Sequence, residues 1–204
     1  MLAPPHPDDG HEPGGAYFDF IPVPNGIAGY TWDFPTQVGG RPMRCWGIYD
    51  ANLFSGEKRP ALKEVLETEM ARHGLRLGDY ELKGHPIRWF DPANDFAVPG
   101  VLLVGDAAGA DPFFGEGISM ALGYGRLAAQ SIRRAFAHDD FSFRDYRRRL
   151  LLSPLGQALM ARWFITYILY GLRWRWFQAF VWRVLKPLVV LISILFVVNW
   201  AKRS

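Results

Sequence analysis

The stretch "VGDAAGADPFFGEGI", Val104 to Ile118, constrains this chain more than any other part of it. It packs four glycines and three acids between two runs of opposite character. The apolar run Val101-Leu102-Leu103-Val104 before it predicts a strand over 101–105, entered through Pro99-Gly100. The residues after it have helical spacing and predict a helix from about Glu116 to Ala137. Ile118, Leu122, Gly125, Ala129, Ile132 and Phe136 fall on one stripe of that helix and are expected to form its core face. The local order is therefore strand, glycine-rich loop, helix.

The segment ahead of this unit reads as an antiparallel sheet with a helix. Residues 1–15 are polar and proline-rich, without the pattern of a secretory signal, and are expected to form a flexible leader. "AYFDFIPVPNGIAGYTWDFP" predicts two strands around Pro24-Asn25-Gly26. In the second, Tyr30, Trp32 and Phe34 alternate with Thr31 and Asp33, giving one aromatic and one polar face, as on a sheet covered on one side. Arg44 to Tyr49 is a third strand. Pro60 to Arg72 is a helix with Pro60 in its first turn, Gly74 at its exit, and Leu62, Val65, Leu66 and Met70 on one face. "DYELKGHPIRWF" is a candidate short strand. Ser142 and Asp145 have the spacing of a capping box for a further helix. The expected division is leader 1–15, sheet and helix 16–98, strand–loop–helix unit 99–150, and a helical tail 151–204, with breaks near Gly171 and Pro187. The fold class is α+β.

Charge separates the tail from the rest. The whole chain carries +3, and residues 151–204 contain seven basic residues and no acid; +3 minus +7 leaves −4 for residues 1–150. The tail also holds Trp163, Trp174, Trp176, Trp182 and Trp200. With long apolar runs between the cations, this composition points to a lipid surface through residues 155–204 and away from nucleic acid. "PLVVLISILFVVNW", Pro187 to Trp200, is short for a bilayer core of about 30 Å, so a peripheral association is expected rather than a span. The single cysteine, Cys45, excludes an internal disulfide and gives no metal cluster. It is compatible with a reducing, cytoplasmic setting.

The loop defines a ligand chemistry. Asp106, at a strand end, aims a carboxylate into the crevice where α/β units bind ligands, which suits a ligand hydroxyl. Gly115 and Gly117 flank Glu116 at the helix entry and admit a flat group close to the backbone. The first N–H groups of the helix, at the positive end of its dipole, stabilise negative charge. A planar cofactor bearing a polyol, anionic when reduced, satisfies all three, and a flavin has those properties. Glu116 reads as a helix-dipole partner before it reads as a proton carrier.

Gly105-Asp106-Ala107-Ala108-Gly109, Pro112, and Gly115-Glu116-Gly117-Ile118 together resemble the second flavin-contacting motif of FAD-dependent oxidoreductases, in the superfamily of aromatic hydroxylases and geranylgeranyl reductases. The histidine that hydroxylases carry at the place of Gly109, their paired prolines around Pro112 and their asparagine near Met120 are all missing. "GEGI", the following "MALGYG" and "GYTWDFP" (Gly29–Pro35) resemble the geranylgeranyl reductase family instead. The resemblance covers roughly Tyr17 to Leu150. It implies FAD as cofactor, with Gly105, Asp106, Pro112, Gly115, Gly117 and Ile118 in its site. Asp106 would meet the ribityl chain, and the Gly117 and Ile118 N–H groups the pyrimidine edge. Trp32 and Phe34 would line a substrate cavity on the sheet.

That family opens with a strand, a G-x-G-x-x-G turn and a helix holding the ADP pyrophosphate, and no such unit occurs in these residues. The chain is thus expected to be the C-terminal part of such an enzyme, a fragment or a split half whose partner chain carries the N-terminal FAD-binding unit. The implied reaction is reduction of carbon–carbon double bonds in an isoprenoid or prenyl lipid. The alternatives are flavin-dependent monooxygenation of an apolar substrate, or a non-enzymatic, membrane-associated remnant of a flavoprotein. No catalytic residue and no metal site is identified from the residues.

Overall fold

The computed structural model describes residues 1–5, 14–53, 59–192 and 194. The chain divides into two compact units, residues 1–85 with 173–175, and residues 86–172 with 176–204. The division falls at His85, ahead of the boundary near residue 98 expected from the sequence.

The first unit is built on a four-stranded antiparallel sheet in the order β1–β4–β3–β2, with β1 Leu2–Ala3, β2 Tyr17–Asp19, β3 Gly29–Val38 and β4 Arg41–Asp50. β3 and β4 pair over their full length from Gly29↔Asp50 to Val38↔Arg41, closed by Gly39-Gly40, both at positive φ. A two-residue turn with both φ positive matches the twist of the strands it joins. The Pro24-Asn25-Gly26 connection forms a single 3₁₀ turn with Gly26 left-handed at its end. The expected leader is tied down at its start. Met1 exchanges backbone hydrogen bonds with Trp46, and Ala3 is fully buried against β4. Residues 6–13 lie outside the described set.

Pairing register decides what each sheet face carries. Thr31, Asp33, Arg44 and Trp46 share one face, and α1 (Leu62–Arg72) accompanies it: Leu66 and Met70 pack with Ala3, Trp46, Leu75 and Leu77. The polar face of β3 is therefore a buried one, contrary to the expectation that it meets solvent. Arg44 makes this tolerable. Its Nε and Nη2 donate to Asp33 Oδ1 and Oδ2, both at 2.8 Å, and Nη2 also donates to the Gly15 carbonyl at 3.0 Å. A buried charge pair survives when its geometry is bidentate and its remaining hydrogens are used.

The second unit begins with a two-residue hairpin, β5 (Ala97–Val98) and β6 (Val101–Leu102), turning through Pro99-Gly100. The strand expected over 101–105 is only this short. The candidate strand in 80–90 reduces to one parallel bridge, Trp89↔Ala110. Helices follow: α2 Ile118–His138, α3 Tyr146–Leu152 and α4 Pro154–Gly171. Ser153 caps α4 by accepting from the Gly156 N–H at 3.1 Å, with Pro154 in its first turn. The Ser142–Asp145 box does not form. The Ser142 N–H is taken by the Asp140 carboxylate, and Asp145 stands at the N-cap of α3 without a side-chain cap bond.

The core of this unit comprises Phe90, Phe96, Ala108, Met120, Tyr124, Tyr146, Leu150, Leu155 and Leu159. α2 thus buries Met120, Tyr124, Ala128, Ser131 and Ala135. The stripe expected inside is the outer one: Ile118 is 82 % and Leu122 75 % exposed, and Ile132 and Phe136 are exposed too. Both stripes have helical spacing, so periodicity alone could not choose between them. After Leu172 the chain forms α5 (Arg175–Ala179), a π-helical segment Phe180–Val184 and α6 (Lys186–Ile192). No helix among the described residues is long and apolar enough to cross a membrane.

Replacing Arg44 by Leu strands the Asp33 carboxylate in the first unit, and is expected to cost about 3–5 kcal/mol. Replacing both residues by Leu should recover most of that loss. Urea unfolding of the single and double variants measures it as midpoint shifts at an unchanged slope.

Candidate functional site

The loop from Leu103 to Ile118 lies wholly in the second unit, and the residues expected at a cofactor site come together there. Gly105–Ala107 forms a 3₁₀ turn in place of a strand end, and both the Ala108 and Gly109 N–H groups close onto the Gly105 carbonyl. Asp106 is exposed on that turn. Its carboxylate lies against the Cα of Gly117 at the start of α2, where an added Cβ would collide with it. Gly115 closes a turn onto the Asp111 carbonyl, and the Asp111 N–H returns to the Glu116 carbonyl. Glu116 Oε1 accepts from the Ser119 N–H at 2.9 Å, so this side chain caps the helix entrance. That is the electrostatic role read from the sequence.

What shapes the loop is a set of donors on three helices. Tyr146 of α3 donates to the Leu103 carbonyl at 3.3 Å, Tyr124 of α2 to the Gly109 carbonyl at 3.1 Å, and Tyr170 of α4 to the Phe113 carbonyl at 2.7 Å. From the other side the segment 88–90 clamps the middle. Phe90 N–H donates to the Ala110 carbonyl, and Ala110 N–H to the Arg88 carbonyl. That approach is close enough that a Cβ at Gly109 would meet the Phe90 backbone.

Beneath the loop lies a pair not anticipated from the sequence. Asp111 is fully buried. Its Oδ1 accepts from the Phe113 N–H at 2.8 Å, and its Oδ2 from Arg162 Nη1 at 3.1 Å. Arg162, only 2 % exposed, also reaches the Met120 sulfur at 3.6 Å. Burial pushes the Asp111 carboxyl above the usual carboxylate range, and the Arg162 guanidinium draws it back. The available signal was Arg162 itself, a lone cation inside the otherwise apolar helix α4.

The residues present fit a flavin. With no side chain, Gly117 lets the solvent-facing Asp106 carboxylate lie directly beside the helix-start N–H groups, which have no partner within the helix. Ser119 Oγ, one residue past Ile118, is buried without a hydrogen-bond partner among the described residues, as a polar atom awaiting a ligand would be. Pro112 is buried in the loop wall.

Trp32 and Phe34 belong to the first unit, on the face of β3 opposite the ion pair. There Phe18, Tyr30, Trp32 and Phe34 form a continuous aromatic surface: Phe18 to Phe34 4.9 Å, Phe18 to Tyr30 5.2 Å, Trp32 to Phe34 6.2 Å and nearly parallel. The Trp32 indole lies over Gly47 on β4, in space that a Cβ there would occupy.

The fold has a solved counterpart. A solved geranylgeranyl bacteriochlorophyll reductase-like protein from Thermoplasma acidophilum superposes on 81 % of the chain with a TM-score of 0.54, at 22 % identity, and the match covers 41 % of that protein. By sequence, a digeranylgeranylglycerophospholipid reductase of the same organism is 34 % identical over 129 residues, 62 % of this chain and 32 % of the relative. An uncharacterized protein of Methanosarcina barkeri is 31 % identical over 158 residues, 76 % of this chain and 37 % of the relative. No family profile matches. Over the part these matches cover, the chain is similar to reductases of the geranylgeranyl type. It spans about a third of the length of the curated relatives it matches.

Two outcomes test the anchoring of the loop. Arg162→Met, which leaves the buried Asp111 carboxyl without its guanidinium partner, should destabilise the second unit by about 3–5 kcal/mol. Asp111→Asn combined with Arg162→Met should cost less, read by thermal unfolding. Burial raises the tyrosine hydroxyls, that of Tyr146 to about 12 and that of Tyr124 further. An acid whose folded pKa is raised favours the folded state while neutral. The stability is therefore intact below the unfolded value of about 10 and lost as pH rises through it toward the folded values. Stability measured from pH 9 to 12 should fall, and Tyr124→Phe should flatten part of that fall while costing about 1 kcal/mol at neutral pH.

Proposed function

We propose that this chain forms the isoalloxazine-binding and substrate-binding part of an FAD-dependent reductase acting on carbon–carbon double bonds of an isoprenoid lipid. The observation that carries the reading is the Asp106–Gly117 cradle at the start of α2, in a chain whose named relatives are reductases. Asp106 would accept hydrogen bonds from ribityl hydroxyls. The Gly117 and Ile118 N–H groups would meet the pyrimidine edge, where the helix dipole favours negative charge. Gly105 and Gly115 give the loop its turns, and Ser119 Oγ offers a further polar contact. When bound, the flavin supplies the hydride chemistry, and the protein supplies orientation and exclusion of water. The pyrophosphate would be held by a G-x-G-x-x-G unit, in the same polypeptide or in a partner chain. The aromatic face carrying Trp32 and Phe34 would hold the prenyl chain, because flat rings bury apolar surface without ionising or accepting a proton.

With a glycine-fingerprint unit from a reductase relative supplied in trans, the chain should take up FAD. Asp106→Ala should weaken that uptake about tenfold to a hundredfold, the loss of one charge-assisted hydrogen bond. Fluorescence titration measures it, and an unchanged dissociation constant removes Asp106 from the site. In the same assembly, with chemically reduced flavin and no oxygen, a geranylgeranyl lipid should gain hydrogen by mass spectrometry. A product that forms only with oxygen, and gains oxygen, would make the reaction a monooxygenation.

A further inference from the structure

The chain after Leu172 carries a surface that the flavin reading does not use. The inward residues from α5 through the π-helical segment to α6 are Phe177, Gln178, Val181, Trp182, Leu185 and Val189, all buried or half-buried. The outward residues Trp176, Phe180, Val184, Leu188 and Leu191 are exposed and all apolar, with Trp176 at 66 % and Val184 at 63 %. Outward helical positions of a water-soluble surface are ordinarily polar, so this row inverts the usual pattern.

The backbone keeps the row straight. Its first four members are spaced by four residues. On a helix of 3.6 residues per turn such a row drifts steadily around the axis. The π-helical segment Phe180–Val184, with its wider i→i+5 closure, takes back that drift between two α-helical stretches. Exposed Arg183 and Lys186 stand beside the row, and residues 151–204 contain no acid at all.

We infer that this row lies in the plane of an anionic lipid surface, with Trp176, Phe180, Val184, Leu188 and Leu191 in the acyl boundary and Arg183 and Lys186 at the phosphates. Charge decides the occupant. A second copy would bring two acid-free cationic segments together, whereas a lipid headgroup layer supplies the missing negative charge. The tryptophan fits the same place, since its ring favours the boundary between headgroup and acyl chain. Among the described residues no helix is long and apolar enough to cross a membrane, and the exposed row runs along one side of these helices, the arrangement an in-plane association uses. α4 is divided: Leu155, Leu159 and Tyr170 are buried in the second unit, while Met160, Phe164, Tyr167 and Ile168 are exposed, so the row over 175–192 is one part of the lipid-facing region expected from 155–204. The inference is independent of the flavin reading.

The test uses the whole chain and sedimentation with vesicles of phosphatidylcholine, with and without phosphatidylglycerol. Binding is expected on both, and stronger on the anionic vesicles. Arg183→Gln with Lys186→Gln should remove about thirtyfold of partitioning on anionic vesicles, at about 1 kcal/mol per charge, and change little on neutral ones. Phe180→Ser with Leu188→Ser should lower partitioning on both at least a hundredfold, with circular dichroism unchanged because these side chains point outward. Two results overturn the inference. One is a chain that binds neither vesicle. The other is a chain whose Phe180→Ser/Leu188→Ser variant binds vesicles normally while a parent dimer falls to a monomer, which would make the row a self-interface.

Discussion

The second unit depends on one constraint: the backbone carbonyls of a buried glycine-rich loop must find donors. Glycine and proline give the loop its path but bring no side-chain donors, and an unpaired buried carbonyl costs as much as a lost bond. Tyr124, Tyr146 and Tyr170 each give one hydroxyl to one carbonyl, from three different helices. The loop's shape is therefore set by the packing of α2, α3 and α4 rather than by its own residues. A phenol serves well here, because burial keeps it neutral and a neutral hydroxyl carries no desolvated charge.

The Asp111–Arg162 pair adds a stiffer tie. A carboxylate at full burial accepts from the loop's own Phe113 N–H and from a guanidinium on α4. The loop cannot then shift without separating charges in a low-dielectric interior. Such a loop can present Asp106, Gly117 and the helix entrance in one fixed arrangement, and a cofactor site requires that preorganisation. The first unit follows the same logic. Asp33 and Arg44, buried on one face of the sheet, fix that face, and the rings occupy the other. The polar and aromatic halves of β3 thus serve separate ends, one structural and one available to an apolar ligand.

Much of the site was legible before any coordinates. Glycines, an acid after an apolar run and a helical pattern beyond are what a ligand loop needs, and Gly105, Asp106, Pro112, Gly115, Gly117 and Ile118 lie on one loop and the helix start that follows it. β3, β4 and α1 followed from alternation, turn residues and a helical face. β3 continues through Pro35 to Val38 and turns at Gly39-Gly40, Pro35 being tolerated in a strand where its missing N–H is not needed. The inner and outer stripes of α2 were exchanged because the outer one is the more apolar. Hydrophobicity ranks faces, and tertiary packing assigns them.

The sequence by itself determined β3, β4, α1 and α2 as strands and helices, because periodicity and turn chemistry act over a few residues. It also determined that the tail is cationic and acid-free, since charge is a sum over residues. Only the tertiary structure decided which polar groups are partners. Tyr170 reaches a carbonyl 57 residues away and Arg162 a carboxylate 51 residues away, and no local pattern encodes such a pairing. It decided that Thr31 and Asp33 lie inside, because β-sheet register and not polarity places a side chain on a face. It decided, too, that Leu155, Leu159 and Tyr170 of α4 are buried while the row from Trp176 to Leu191 is surface, since equally apolar side chains differ only in what the rest of the chain brings against them.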